Sequence, residues 1–215
     1  MATKSKTRQE RGETAVRERI LAAAFAAFMK SGYASASMLE IATRARVSKR
    51  ELYAIVGNKQ EMLIACIRER AKRFDVPADL PVLRDRESLA RVLISFGTKI
   101  VREASDPTVI AVFRLAISEV ILAPEVARAL DSIARERSRA ALGKIMSEAR
   151  LSGLLTGHPA RLANQFAGLL WGDLMVSLLL GVAERPTPKE VARRAREATA
   201  AFLQLHSLSN DAATA

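Results

Sequence analysis

The 215-residue sequence is 49% hydrophobic but only 5% aromatic, and its net charge of +11 is lopsided: residues 1–73 hold 16 Lys and Arg against 7 Asp and Glu, residues 74–215 hold 18 against 16. Such an excess in one third of a chain points to a polyanionic partner for that third. A single cysteine, Cys66, excludes an internal disulfide. The basic start MATKSKTRQERGETAVRER has no apolar secretion signal, and the apolar segment 162–183 carries Asn164, Gln165 and Asp173, so a cytoplasmic chain without a membrane partner is expected.

Residues 1–12 read as a flexible basic arm. A helix is expected from about Glu13 to Lys30, with Ile20, Leu21, Ala24, Phe25 and Phe28 on one stripe and Gly32 as its stop. Three start signals follow: Ser37 with Glu40, Ser48 with Glu51, and Asn58 with Glu61. Each has the spacing of a capping box, in which the cap side chain accepts from the third amide and the glutamate reaches back to the cap amide. They predict helices over about 38–45, 49–56 and 59–73. The stretch 75–85, with Pro77 and Pro81, reads as a loop or boundary. Further helices are expected over about 87–103, from Pro107, from Pro124 to about Ser152, over 159–182 and over 187–206. No period-two strand pattern occurs. The expected class is all-α with about nine helices: a helix-turn-helix domain over 13–60, a larger C-terminal domain over 61–207, and a disordered tail over 208–215.

Only Arg46, Val47 and Ser48 separate the second and third helices, so the two must cross steeply. Ile41, Ala42, Val47, Leu52 and Val56 then share a small core with the first helix. The outer edge of the third helix carries Ser48, Lys49, Arg50 and Tyr53 beside the free amides of its N-terminus, the equipment of a helix that enters the major groove. Arg50 and Lys49 are assigned to base edges, since a guanidinium pairs bidentately with guanine. Tyr53 is assigned to a phosphate, Ser37 and the neighbouring amides to another, and Lys59 to a phosphate clamp. Arg44 and the arm residues Lys4, Lys6, Arg8 and Arg11 add backbone or minor-groove contacts.

The run from Arg19-Ile-Leu-Ala-Ala-Ala-Phe through Gly32-Tyr33, Ser37-Met-Leu-Glu-Ile-Ala, Ala45-Arg-Val-Ser-Lys-Arg-Glu-Leu-Tyr53 and Asn58-Lys-Gln-Glu-Met-Leu63 resembles the DNA-binding domain of the TetR (tetracycline repressor) family. Phe113-Arg-Leu-Ala-Ile-Ser-Glu119 and Pro124-Glu-Val-Ala are similar to the C-terminal domain of one branch of that family. The resemblance implies an all-helical homodimer with three DNA-binding helices and a C-terminal domain for dimerisation and ligand sensing. Three positions depart from the family pattern. Arg46 replaces a turn glycine, Val56 replaces a phenylalanine, and Ile55 replaces a histidine or aromatic, so that residue's phosphate contact does not carry over.

In the C-terminal part, Ala167, Gly168, Trp171 and Leu178 on the eighth predicted helix, and Val191, Ala195, Ala198 and Phe202 on the ninth, are candidates for a dimer interface. Phe96, Phe113, Met146, Phe166 and Trp171 either line a cavity or pack as core. Glu119 and Asp173, in apolar surroundings, either meet a cationic or hydroxylated ligand, pair with an arginine such as Arg114 or Arg128, or stand exposed at a helix edge. His158 and His206 lie in no metal-ligand or catalytic spacing, so neither a metal, a cofactor nor catalysis is expected. The expected function is a DNA-binding regulator, a repressor released from a palindromic operator by a small apolar or amphipathic ligand. An activator, a ligand-independent regulator or a membrane-associated helical module are the alternatives.

Overall fold

The computed structural model describes residues 2–72 and 81–207, and these form eleven α-helices and no strand. They are α1 (Ala2–Ser31), α2 (Met38–Ala45), α3 (Lys49–Val56), α4 (Lys59–Ala71), α5 (Arg86–Ala104), α6 (Pro107–Ser118), α7 (Pro124–Leu130), α8 (Glu136–Leu151), α9 (Pro159–Trp171), α10 (Leu174–Leu180) and α11 (Pro188–Leu205). The expected arm is helical backbone from Ala2 onward, continuous with α1. The helix expected from Pro124 to Ser152 is interrupted by a π-helical turn, Asp131–Arg135. The expected tail lies outside the described residues.

The chain forms two compact units, each assembled from two stretches of sequence. The first unit joins Met1–Lys72 to Ala111–Ala134; the second joins Arg73–Ile110 to Arg135–Ala215. The fourth helix therefore belongs to the N-terminal head, and so does a piece of the middle of the chain. The reason is apolar burial. Ile20 and Phe28 of α1, Ile41 of α2, Leu52 of α3, Met62 of α4 and Val126 of α7 share one core with no side-chain surface left to water. Cys66 lies in the same core, where its thiol donates to the Leu21 carbonyl at 3.4 Å and burial pushes its pKa up to about 11. It is a small buried hydrophobe with a thiolate out of reach at neutral pH.

The second unit is built around α5, α8, α9 and α11. Asp85 and Ser88 cap α5 reciprocally, and Thr187 and Glu190 do the same for α11. Leu89, Leu93, Ile145, Met146, Phe166 and Phe202 fill the core, with the Phe166 and Phe202 rings edge to face at 5.5 Å. Arg86 donates to the Leu203 and His206 carbonyls and closes the C-terminus of α11.

The expected single helix over 159–182 is two helices bent by 54°. Gly172 adopts φ +47°, ψ −124°, which ends α9. The guanidinium of Arg194 on α11 donates to the freed carbonyls of Leu170 and Trp171 at 3.3 and 3.2 Å. Among the described residues no single helix is long and apolar enough to cross a membrane.

Gly97 of α5 faces both α9 and α11. A Cβ there would stand 3.1 Å from the Leu170 Cδ1 and 3.4 Å from the Ala195 Cβ. Gly143 of α8 has no such neighbour within 4 Å. The two glycines should therefore respond oppositely in urea unfolding. Gly97→Leu is expected to cost about 1–3 kcal/mol through overpacking, whereas Gly143→Ala should gain about 0.5–1 kcal/mol from helix propensity alone.

Candidate nucleic-acid interface

The head's exposed edge depends on how α2 ends. Arg46 is the one non-glycine residue with positive φ among the described residues (φ +55°, ψ +48°). Its amide donates to the Thr43 carbonyl at 3.1 Å and the Val47 amide donates to the Ala42 carbonyl at 3.1 Å. Together these make a Schellman cap, the motif that usually takes glycine at this position. The left-handed residue turns the chain so sharply that Ser48 already opens α3. Arg19 of α1 donates to the Ala45 carbonyl at 3.4 Å and fastens the same end of α2.

Ser48 accepts from the Glu51 amide at 3.0 Å, and Ser37 from the Glu40 amide at 3.4 Å. Asn58 and Glu61 complete a reciprocal capping box at α4. At α2 and α3 only the serine half of the expected box is formed.

On α3, Leu52 and Val56 are buried, while Lys49, Arg50 and Tyr53 face solvent. Ser37, Arg44 and Ser48 are exposed as well. The structure thus places all of these expected DNA-contact residues at the surface of α2, α3 or their caps. The side chains of Lys4, Lys6, Arg8 and Arg11 lie outside the description. Lys59 is partly engaged within the protein. Its Nζ donates to the Ala34 carbonyl at 2.7 Å and lies 5.1 Å from the Tyr33 ring centre. Burial lowers its pKa and the charge of Glu119 opposes that shift.

Glu119 has a different place from any of these expectations. It is buried in the first unit, and its Oε1 accepts from the backbone amides of Tyr33 (2.8 Å) and Ala34 (3.3 Å) in the turn between α1 and α2. Its Oε2 is buried without a hydrogen-bond partner. Gly32, at φ +79°, leaves room for this approach, since a Cβ there would lie 2.9 Å from Glu119 Oε1. Burial, followed by the charge and hydrogen bond of Glu125 and the charge of Glu119, raises the Tyr33 pKa. The turn that leads into α2 is therefore held by Glu119, Glu125 and Lys59. Nothing in the spacing of the sequence pairs residue 119 with residue 33.

The other ligand candidates fall in both units. Phe96, Met146 and Phe166 are packed in the core of the second unit, Trp171 is half-buried at the end of α9, and Phe113 packs on the core of the first unit. Most of the interface candidates are covered within the chain. Leu178, Val191, Ala195, Ala198 and Phe202 are each 5% exposed or less within the single chain. Within the single chain these five are therefore covered almost wholly by their own neighbours. Ala167 and Trp171 are half-buried and Gly168 is exposed. The apolar surface of these helices lies on Leu169, Val176 and Leu180, with Val182 just after α10 and Leu205 at the end of α11; Leu180, Val182 and Leu205 are 70–76% exposed.

An all-helical chain with a basic head, a tight helix-turn-helix and an exposed Lys-Arg edge has the build of a DNA-binding regulator. Residues 20–66 match the model of the bacterial regulatory proteins of the tetR family, and residues 91–206 match that of the AefR-like transcriptional repressor C-terminal domain. The chain belongs to the TetR family of transcriptional regulators. Solved structures agree. The flavonoid-responsive regulator FrrA is 25% identical, with a TM-score of 0.75 over 89% of this chain and 97% of its own. A TetR regulator from Agrobacterium tumefaciens is 25% identical, with a TM-score of 0.72 over 88% of this chain and 94% of its own. One from Pseudomonas syringae pv. tomato is 26% identical, with a TM-score of 0.65 over 88% and 95%. Among curated proteins none matches.

Two variants test this geometry. Arg46→Gly should raise stability by about 1 kcal/mol, because glycine adopts the left-handed cap without the Cβ clash; the check is the urea midpoint. Glu119→Ala leaves the buried Tyr33 amide without its acceptor. A loss of about 1–3 kcal/mol is expected, with faster hydrogen exchange at Tyr33 and Ala34. Unchanged exchange at those two amides would remove the assigned role.

Proposed function

We propose that the chain is a homodimeric repressor that binds a palindromic operator with one α3 edge per half-site and leaves it when a small apolar or amphipathic ligand binds. The observation that carries this reading is the division of α3. Leu52 and Val56 are locked into the head, so Lys49, Arg50 and Tyr53 stand out on a rigid helix within the most basic third of the chain. Arg50 and Lys49 reach base edges in the major groove. Tyr53, Ser37, Arg44 and the N-terminal amides of α2 and α3 hold phosphates and fix the register. Lys59 adds the charge left over from its bond to the turn.

The partner surface we assign to a second copy is the outward face of α9 to α11, around Leu169, Val176, Leu180, Val182 and Leu205, with Gly168 allowing close approach. Exposed apolar surface of this kind is what a homodimer covers. Two heads about 34–36 Å apart then match successive turns of one duplex face. The Phe, Met and Leu interior of the second unit favours an apolar effector, and methionine such as Met146 repacks readily. The flavonoid-responsive neighbour FrrA supports a ligand of that class. Release follows if the ligand prefers a spacing of the two heads that DNA does not accept.

The test is binding of the full-length protein to duplexes selected from a random pool, with the assembly state measured by sedimentation. Two protomers per selected palindrome and an affinity that falls steeply with salt are expected. Arg50→Ala should cost about 1–3 kcal/mol and relax preference at one base pair per half-site. A monomer that selects no duplex would overturn the reading.

A further inference from the structure

In α1 to α4, among the residues whose side chains are described, only two large apolar side chains stand exposed: Tyr53 at 43% and Leu39 at 65%. Tyr53 carries a hydroxyl that accounts for its position. Leu39 has no polar group, and it is the more exposed of the two. Every other large aliphatic or aromatic residue of α1 to α4 whose side chain is described is buried or packs at least partly against the core; the remaining exposed apolar side chains of this unit, Ile117, Val120, Ile121 and Leu122, lie at the end of α6 and just after it.

Leu39 is the second residue of α2, two positions after the cap Ser37. The buried side of α2 is Ile41, Ala42 and Ala45, with Met38 packed beside them, and the 100° step per residue carries Leu39 off that side. One turn further along the same flank is Thr43, whose hydroxyl donates back to the Leu39 carbonyl at 2.9 Å. That donor is turned into the helix, so this flank of α2 begins as a small apolar spot. Its surroundings are polar: Ser37, Glu40 and Arg44 are all exposed. A lipid surface or a protein partner needs a wider apolar area than one isobutyl group supplies. The major groove, in contrast, offers one apolar group of matching size, the C5-methyl of thymine.

We propose that Leu39 is a specificity-determining residue, packing its isobutyl group against the C5-methyl of a thymine in each half-site. It rests on the reading of the head as a DNA-binding edge, and it adds to that reading a base contact from α2 rather than α3. The contact carries no charge. It therefore leaves the salt dependence unchanged while altering sequence preference, unlike the contacts of Lys49, Arg50 and Lys59.

The experiment replaces each thymine of a selected duplex in turn by deoxyuridine, which lacks only the methyl, and measures binding of full-length wild type and Leu39→Ala. At one symmetry-related position, deoxyuridine should weaken wild-type binding about 3- to 10-fold, the scale of one or two buried methyl-sized groups. Leu39→Ala should weaken binding to the thymine duplex by a similar factor. On the deoxyuridine duplex the variant should show no further loss, and its salt slope and unfolding midpoint should match wild type. Independent, multiplying effects at every position would overturn the proposal, as would wild-type indifference to the methyl or unchanged affinity of Leu39→Ala. A wild type that selects no duplex overturns both this proposal and the reading beneath it. Selection of a duplex with ordinary salt dependence but no methyl effect overturns this one alone.

Discussion

Three residues of backbone, Arg46 to Ser48, decide whether the head has a surface to present. A left-handed residue closes α2, and the next residue but one is already the cap of α3. With a longer link the two helices could pack side by side and bury the polar edge of α3. With this one they cross, Leu52 and Val56 enter the core, and Lys49, Arg50 and Tyr53 remain outside. The strain of a Cβ in the left-handed region, of order 1 kcal/mol, is offset by two backbone hydrogen bonds that the Schellman cap supplies to otherwise unpaired carbonyls.

The same head is steadied from elsewhere in the sequence. Glu119 binds two consecutive amides of the turn before α2, Glu125 holds the Tyr33 hydroxyl, and Lys59 holds the Ala34 carbonyl. Three acidic or basic side chains thus hold one turn of the chain next to Gly32. A carboxylate oxygen buried without a partner is costly, and it persists here because its sister oxygen has two donors.

Local chemistry made much of this legible in the sequence. Ser37, Ser48 and Asn58 marked helix starts to the residue, because a cap depends only on its own turn. Whether the glutamate three residues on reaches back is a rotamer choice that spacing does not fix, and Glu40 and Glu51 do not make it. The stripe Val191, Ala195, Ala198 and Phe202 was visible as apolar, but periodicity states only that a face is buried. It does not state whether the cover is the same chain or another, and here α5 and α9 are the cover. The break at Gly172 was hidden because glycine also fits a close helix contact. Glu119 was visible as a carboxylate among apolar neighbours, yet its partners lie 85 and 86 residues away.

The head's discontinuity shapes the order in which the protein becomes complete. Translation delivers α1 to α4 first, but Glu119, Glu125 and Val126 belong to a stretch that leaves the ribosome only after α5 has been made. Domains of this kind cannot finish folding in simple N-to-C order. Until residues 111–134 emerge, the nascent N-terminal portion lacks part of its core and the acceptor for two amides of the turn before α2. A newly made chain therefore acquires a finished head only after residues 73–110 of the second unit have also been synthesised, so synthesis itself delays completion of the exposed Lys-Arg edge.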